Sequence, residues 1–168
     1  MTSDALVLTI LVAGAGTAAV IDMQTRRIPN ALTASLAGAG LVLAAAGLGR
    51  VGIAAALAGG FAGVLLMLPG HVFGATGGGD VKLLGALGTL LGPGDTFRAC
   101  LVAMIAGGVL ALIVALRRGR LRQSVGRSIE LVASAGGNAA EIRDPRADSR
   151  FAYAPAIAVG AIVAGAWA

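Results

Sequence analysis

The stretch Asp4–Ile21, with sequence DALVLTILVAGAGTAAVI, decides the fold class because it carries no charged residue after Asp4. A helix needs about 20 residues to cross the hydrocarbon core of a membrane, within a range of about 17 to 25. A cleaved secretory signal would place cations ahead of its apolar run, whereas the first cation of this chain is Arg26. The stretch therefore predicts a membrane-spanning helix with its N-terminus outside and the following loop inside.

Composition extends this prediction to the whole chain. Of the 168 residues, 57% are hydrophobic and only 12% are charged, and the mean hydropathy is +0.89. A soluble domain carries about 25% charged residues, so soluble globular, disordered and disulfide-rich secreted classes are excluded. The single cysteine, Cys100, can form no internal disulfide and no zinc-binding pair. We expect an all-α polytopic membrane protein, with residues 1–168 forming one domain.

Five further apolar runs follow the first one. We expect a bundle of about six membrane-spanning helices, with the later ones at 31–48, 51–68, 81–91, 97–116 and 151–168. The run at 81–91 is too short to cross the bilayer unaided, so we expect a helix that begins within the preceding glycines and is either tilted or sheltered by neighbouring helices. A Gly-rich loop at 69–79 and a turn at 92–95 are the expected connections around it.

Two further patterns concern packing and membrane depth. Small residues recur at four-residue spacing in the pairs Gly59/Gly63, Gly88/Gly92 and Ala103/Gly107, which predicts close helix contacts. Tyr153 and Trp167 lie at the two ends of the last apolar run, and amphipathic aromatic residues favour the membrane interface. We therefore expect both rings at the membrane surface.

The positive charge indicates topology. Thirteen Lys and Arg residues outnumber eight Asp and Glu residues, and eight of the cations lie between Arg117 and Arg150. Because cytoplasmic loops collect Lys and Arg, we expect Arg26, Lys82 and the basic loop 117–150 to face the cytoplasm. No aromatic residues interleave these arginines, so nucleic acid is not an expected partner. Anionic lipid headgroups are the expected contact of the basic loop.

Two carboxylates stand out at the cytoplasmic ends of predicted helices. Asp22 follows the first run, and Asp80 begins the short fourth one. Each has a structural explanation, because Asp22 can pair with Arg26 four residues on and Asp80 can cap a helix after three glycines. Together they also suit peptide hydrolysis, in which one carboxylate activates water and the other, protonated, donates to the scissile carbonyl. Such a pair shares one proton and titrates as a unit.

Three segments carry a resemblance to a known family. The first motif is Asp22 with Arg27-Ile28-Pro29-Asn30, the second is Gly77-Gly78-Gly79-Asp80-Val81-Lys82-Leu83, and the third is Tyr153–Gly160 with its Pro155. Together they resemble the motifs of the type IV prepilin leader peptidases, which are membrane aspartic proteases. The resemblance implies that Asp22 and Asp80 are catalytic. It assigns supporting roles to Ile28, Pro29, Asn30, Gly77, Gly78, Gly79 and Lys82.

The resemblance also implies a substrate and a location. The substrate would be a prepilin or pseudopilin with a basic leader and an apolar helix, cut at the cytoplasmic face of the bacterial inner membrane. Pilus or secretion assembly machinery would be a partner, and the compact chain looks most like the peptidases of tight-adherence (Flp) pilus systems. Longer members bind zinc through paired cysteines and N-methylate the product with S-adenosylmethionine. This chain lacks those cysteines, so we expect no metal, no cofactor and no methylation.

Other functions remain open from the residues alone. Presenilin-like intramembrane proteases share a Gly-x-Gly-Asp motif, but they place Tyr before the first Asp, where this chain has Ile21. A non-enzymatic carrier would use Asp22 and Asp80 as ion sites near the membrane centre. An assembly scaffold would tolerate replacement of both carboxylates by amides.

Overall fold

A computed structural model describes residues 3–73, 76–117 and 153–167. The predicted basic loop 117–150 lies outside these residues, apart from Arg117 at its start. The described chain forms six helices: α1 Ser3–Thr25, α2 Asn30–Ala45, α3 Ile53–Val72, α4 Gly78–Leu91, α5 Pro93–Arg117 and α6 Ala154–Trp167. The predicted all-α class is confirmed.

Three helices have the length and composition of membrane spans. Asp4–Thr25 in α1, Ile53–Val72 in α3 and Pro93–Ile113 in α5 contain 20 to 22 residues each. The apolar helices α2 and α6 have 16 and 14 residues, so they extend about 24 and 21 Å at about 1.5 Å per residue. The fold is a helical membrane bundle in which three of the predicted six spans are long enough to cross on their own.

Helix α4 lies in the interior of this bundle. Every residue from Asp80 to Leu91 except Lys82 is buried, because the other five helices all pack against it. This confirms the predicted shelter for the short fourth run. A helix of 14 residues reaches only about 21 Å, so its ends depend on protein neighbours for polar partners.

Glycines bring α3 and α4 into backbone contact. A Cβ atom added at Gly63 would lie 2.5 Å from the carbonyl oxygen of Leu84, and one added at Gly59 would collide with the carbonyl oxygen of Gly88. Neither carbonyl can move without displacing α4. The predicted close packing of small residues at four-residue spacing is confirmed for these two helices.

Two predicted connections were too long. Helix α3 continues through Pro69 to Val72, and the N–H of Phe73 still bonds to the Pro69 carbonyl at 3.0 Å. Proline is tolerated inside membrane helices because neighbouring groups satisfy the freed carbonyl. The predicted turn at 92–95 is confined to Gly92, whose φ is +78°, because Pro93 begins α5 directly. A first helical position loses nothing when its residue lacks an N–H.

Arg50 joins three elements at the end of the bundle away from Asp80. It lies between α2 and α3, its Nε is 3.3 Å from Oδ1 of Asp4 in α1, and its Nη1 donates to the carbonyl oxygen of Gly165 in α6. A cation at the C-terminal turn of α6 also interacts favourably with the helix dipole. Arg50 therefore holds together segments that are distant in sequence.

Arg50→Gln is expected to destabilise the bundle measurably. The Arg50 side chain is only 15% exposed, and hydrogen bonds to charged groups contribute about 1.5–3 kcal/mol. The melting temperature in detergent should fall by several degrees, at about 2–4 °C per kcal/mol. The matched control is Arg98→Gln, because Arg98 is 63% exposed in its pair with Asp95 and such pairs contribute about 0–1 kcal/mol. Equal shifts in the two variants would contradict the role of Arg50.

Candidate active site

Asp22 lies inside α1, three residues before the helix ends at Thr25. The prediction that the first helix stops before Asp22 was therefore wrong. Asp22 is only 6% exposed, and its Oδ2 accepts a hydrogen bond from the N–H of Ala154 at 3.2 Å. Ala154 is the first residue of α6, whose leading N–H groups have no partner within that helix. Although Asp22 sits at the negative end of α1, it also sits at the positive end of α6, which favours a carboxylate.

Asp80 lies in the first turn of α4 and is also 6% exposed. The capping residue of α4 is Gly77, three positions earlier, so a capping position for Asp80 itself was a wrong prediction. The Asp80 side chain nevertheless serves the helix start, because Oδ2 accepts the N–H of Gly77 at 2.9 Å. This is the backward-reaching half of a capping box. Gly77 thereby holds the carboxylate in one orientation.

The fold places these two carboxylates at the same end of the bundle. The loop that follows Asp22 packs against the start of α4, where Lys82 bonds to Asn30 and Ile28 lies against Gly79. Each carboxylate accepts an N–H from the start of a different helix, Gly77 for α4 and Ala154 for α6. Two buried carboxylates so arranged can share a proton, and one can act as a base while the other acts as an acid.

The first and second motifs contact each other directly. Lys82 in α4 donates from Nζ to Oδ1 of Asn30 at 2.9 Å, across the start of α2. The Ile28 side chain packs on Gly79, where an added Cβ would lie only 3.2 Å from the Cβ of Ile28. Pro29 caps α2 and accepts the N–H of Leu32 through its carbonyl at 3.1 Å. These contacts fix the loop after Asp22 against the start of α4.

The three glycines before Asp80 have different surroundings. Gly77 supplies the N–H that holds the carboxylate, and Gly79 is short of space because of Ile28. A Cβ at Gly78 would make only an ordinary contact of 3.5 Å with the ring of His71. An added Cβ would lie 3.2 Å from Oδ2 of Asp80 at Gly77 and 3.2 Å from Cβ of Ile28 at Gly79, so Gly77 and Gly79 have less space than Gly78.

Tyr153, directly before α6, packs against α5. Its ring is half-buried, and its hydroxyl donates to the carbonyl oxygen of Ala103 in α5 at 3.2 Å. The location of Tyr153 and Trp167 at the membrane interface stays a prediction.

A groove opens on another side of α4. It has a volume of about 440 Å³, lies between α2, α3 and α4, and is lined by Asn30, Thr33, Ala34, Ala37, Gly60, Val64, Lys82, Gly85 and Ala86. Lys82 and Asp80 are two residues apart, which corresponds to roughly 200° around a helix. The groove and the two carboxylates thus occupy nearly opposite faces of α4.

No metal site accompanies the carboxylates in the described ranges, where no three His, Cys, Asp or Glu side chains cluster. The family model described as the type IV leader peptidase family matches residues 9–112, which is more than half of the chain. The chain belongs to the type IV leader peptidase family. It is therefore a peptidase of a membrane-protein family.

The leader peptidase match covers both carboxylates and the first two motifs, and it ends within α5. No curated protein and no solved structure matches the chain significantly. The structure alone shows that Ala154 contacts Asp22 and that Tyr153 packs on α5. The sequence offered only a weak sign of these contacts, the third motif at the start of the last helix.

Proposed function

We propose that this leader peptidase is a membrane aspartic endopeptidase that removes the basic leader from type IV (Flp-like) prepilins or pseudopilins. Asp22 and Asp80 are the proposed catalytic pair. The observation that carries the proposal is their convergence, because residues 58 positions apart in sequence are both buried at one end of the bundle, and each accepts a backbone N–H from the start of a helix. Burial of two acidic side chains costs free energy, and such costly placements cluster at functional sites.

The proposed reaction uses one shared proton. The ionised carboxylate takes a proton from water, whose oxygen attacks the scissile carbonyl carbon while the protonated carboxyl donates to the carbonyl oxygen. The resulting tetrahedral adduct then collapses and the C–N bond breaks. The departing nitrogen takes a proton from the carboxyl that the water had protonated, and a hydroxyl of the adduct returns its proton to the other, now ionised carboxylate, so the pair again holds one proton. The N–H groups of Gly77 and Ala154 keep the two carboxylates in place during these transfers.

We place this reaction at the cytoplasmic face of the bacterial inner membrane. The support is the charge pattern, because the loop with Arg26 and Arg27 adjoins Asp22 and Lys82 adjoins Asp80, and cytoplasmic loops collect cations. Membrane lipids and the pilus or secretion assembly machinery are the proposed partners. The proposed chemistry needs no cofactor, since two carboxylates and a water molecule suffice.

A cleavage assay in membranes tests the proposal. A prepilin encoded in the same genome is co-expressed with the peptidase, and its new N-terminus is read by mass spectrometry. We expect a single cut behind the basic leader, after a small residue, with the terminus unmethylated. The control is the same prepilin in membranes without the peptidase. Uncut prepilin in the presence of the peptidase would overturn the substrate assignment.

A further inference from the structure

The start of α6 contacts Asp22. Ala154 has no exposed surface, and its N–H donates to Oδ2 of Asp22 at 3.2 Å. The position of this one helix terminus therefore sets where the hydrogen-bond donor to Asp22 lies.

Tyr153 fastens this terminus to α5 by two contacts. Its hydroxyl donates to the carbonyl oxygen of Ala103 at 3.2 Å. Its ring occupies the space beside Gly107, where an added Cβ would lie 3.0 Å from Cζ, 3.1 Å from the hydroxyl oxygen and closer still to Cε2. The next residue, Gly108, has nothing within 4 Å of an added Cβ. Gly107 thus forms a seat for the ring, and Gly108 does not.

We infer that Tyr153 is a positioning residue that holds the Ala154 N–H on Asp22 by seating the start of α6 on Ala103 and Gly107. The inference rests on the proposed catalytic role of Asp22. The tyrosine acts through the backbone of its neighbour and through α5, without contact with substrate. Displacing a catalytic group by about 1 Å can cost about 100-fold in rate. Weakening the contacts of Tyr153 with α5 should therefore lower kcat.

Gly107→Ala is the first test, and Gly108→Ala is its matched control. Both changes add one methyl group to adjacent positions of α5 and improve helix propensity equally. Because the methyl at residue 107 displaces the Tyr153 ring, Gly107→Ala should lower kcat by roughly tenfold and leave KM unchanged. Gly108→Ala should cleave like the wild type. Equal kcat values in the two variants would overturn the inference.

A double-mutant cycle separates positioning from general destabilisation. Tyr153→Ala should itself lower kcat, and Gly107→Ala should cause little further loss in that background because no ring remains to collide. Tyr153→Phe keeps the ring and loses only the bond to Ala103, so it should retain more activity than Tyr153→Ala. If the fall in kcat of the double variant equals the product of the two single falls, residues 107 and 153 do not act through one contact, and the inference fails.

Hydrogen exchange gives a readout that does not depend on activity. Amides at the start of α6 should exchange faster in Gly107→Ala than in Gly108→Ala, because the first turn is released from α5. If wild-type protein fails to cleave prepilins, the proposed function fails, while this comparison still decides whether Tyr153 seats the helix. Identical exchange rates in the two variants would show that the contact of Tyr153 with Gly107 does not hold the start of α6 on α5.

Discussion

Asp22→Asn and Asp80→Asn are each expected to lower the rate of leader cleavage by about 10²- to 10⁴-fold, because each removes a group that transfers a proton. An amide can neither take a proton from water nor donate one as a carboxyl group does. The measurement is the initial rate of leader removal in membranes, normalised to the amount of folded peptidase. Cleavage at the wild-type rate in either variant would contradict the two-carboxylate mechanism.

Asparagine is the informative replacement because of how each carboxylate is held. Its amide oxygen can still accept the N–H of Gly77 at residue 80 or of Ala154 at residue 22, as the carboxylates do at 2.9 and 3.2 Å. Alanine would leave a buried N–H unpaired, at a cost of about 1–3 kcal/mol, and would mix instability with lost chemistry. Asp95→Asn is a suitable control, since Asp95 lies at the start of α5, at the opposite end of α4 from Asp80.

The double variant tests whether the two groups act as a unit. Residues that serve one step give strongly non-additive losses, so removing both should be little worse than removing one. We therefore expect Asp22→Asn with Asp80→Asn to cleave about as slowly as the slower single variant. A loss equal to the product of the two single losses would indicate separate roles, and this would be incompatible with one shared proton.

The sequence singled out the two acids of the proposed site but not the groups that hold them. Asp22 and Asp80 stand out because carboxylates beside apolar runs are rare and costly. The donor to Asp22 is a backbone N–H that lies 132 residues away, and a backbone group leaves no mark in the residue pattern. Likewise, Gly107 fits the predicted small-residue pairs, but its particular neighbour, Tyr153, depends on how α5 and α6 pack.

Helix existence was predictable where helix ends were not. Apolar runs identified all six described helices because the bundle is built from them. The ends shifted at Pro69 and at Asp22, where residues that break or terminate soluble helices are accommodated by neighbours. Length alone also could not show that α4 is enclosed by protein, although its 14 residues made shelter one of the expected solutions.

Gly59→Ala is expected to destabilise the bundle strongly, because the contact it disturbs is between two backbones. The new Cβ would collide with the carbonyl oxygen of Gly88 and lie 2.8 Å from Cα of Gly92. Neither atom can rotate away, so α3 must separate from α4. Overpacking costs about 1–3 kcal/mol and occasionally more, which corresponds to a fall in melting temperature of about 2–4 °C per kcal/mol.

Alanine substitutions at two other glycines, Gly60 and Gly38, serve as controls with progressively smaller expected destabilisation. At Gly60 an added Cβ meets the methyl group of Thr89 at 2.9 Å, a side-chain atom that can shift, and at Gly38 it meets nothing within 4 Å. Alanine should therefore be worst at residue 59, milder at residue 60 and neutral or stabilising at residue 38, where helix propensity alone acts. Thermal unfolding of the three variants in one detergent measures this order. Equal melting temperatures for Gly59→Ala and Gly38→Ala would contradict the backbone contact between α3 and α4. The helix that carries Asp80 would then not be supported by that contact.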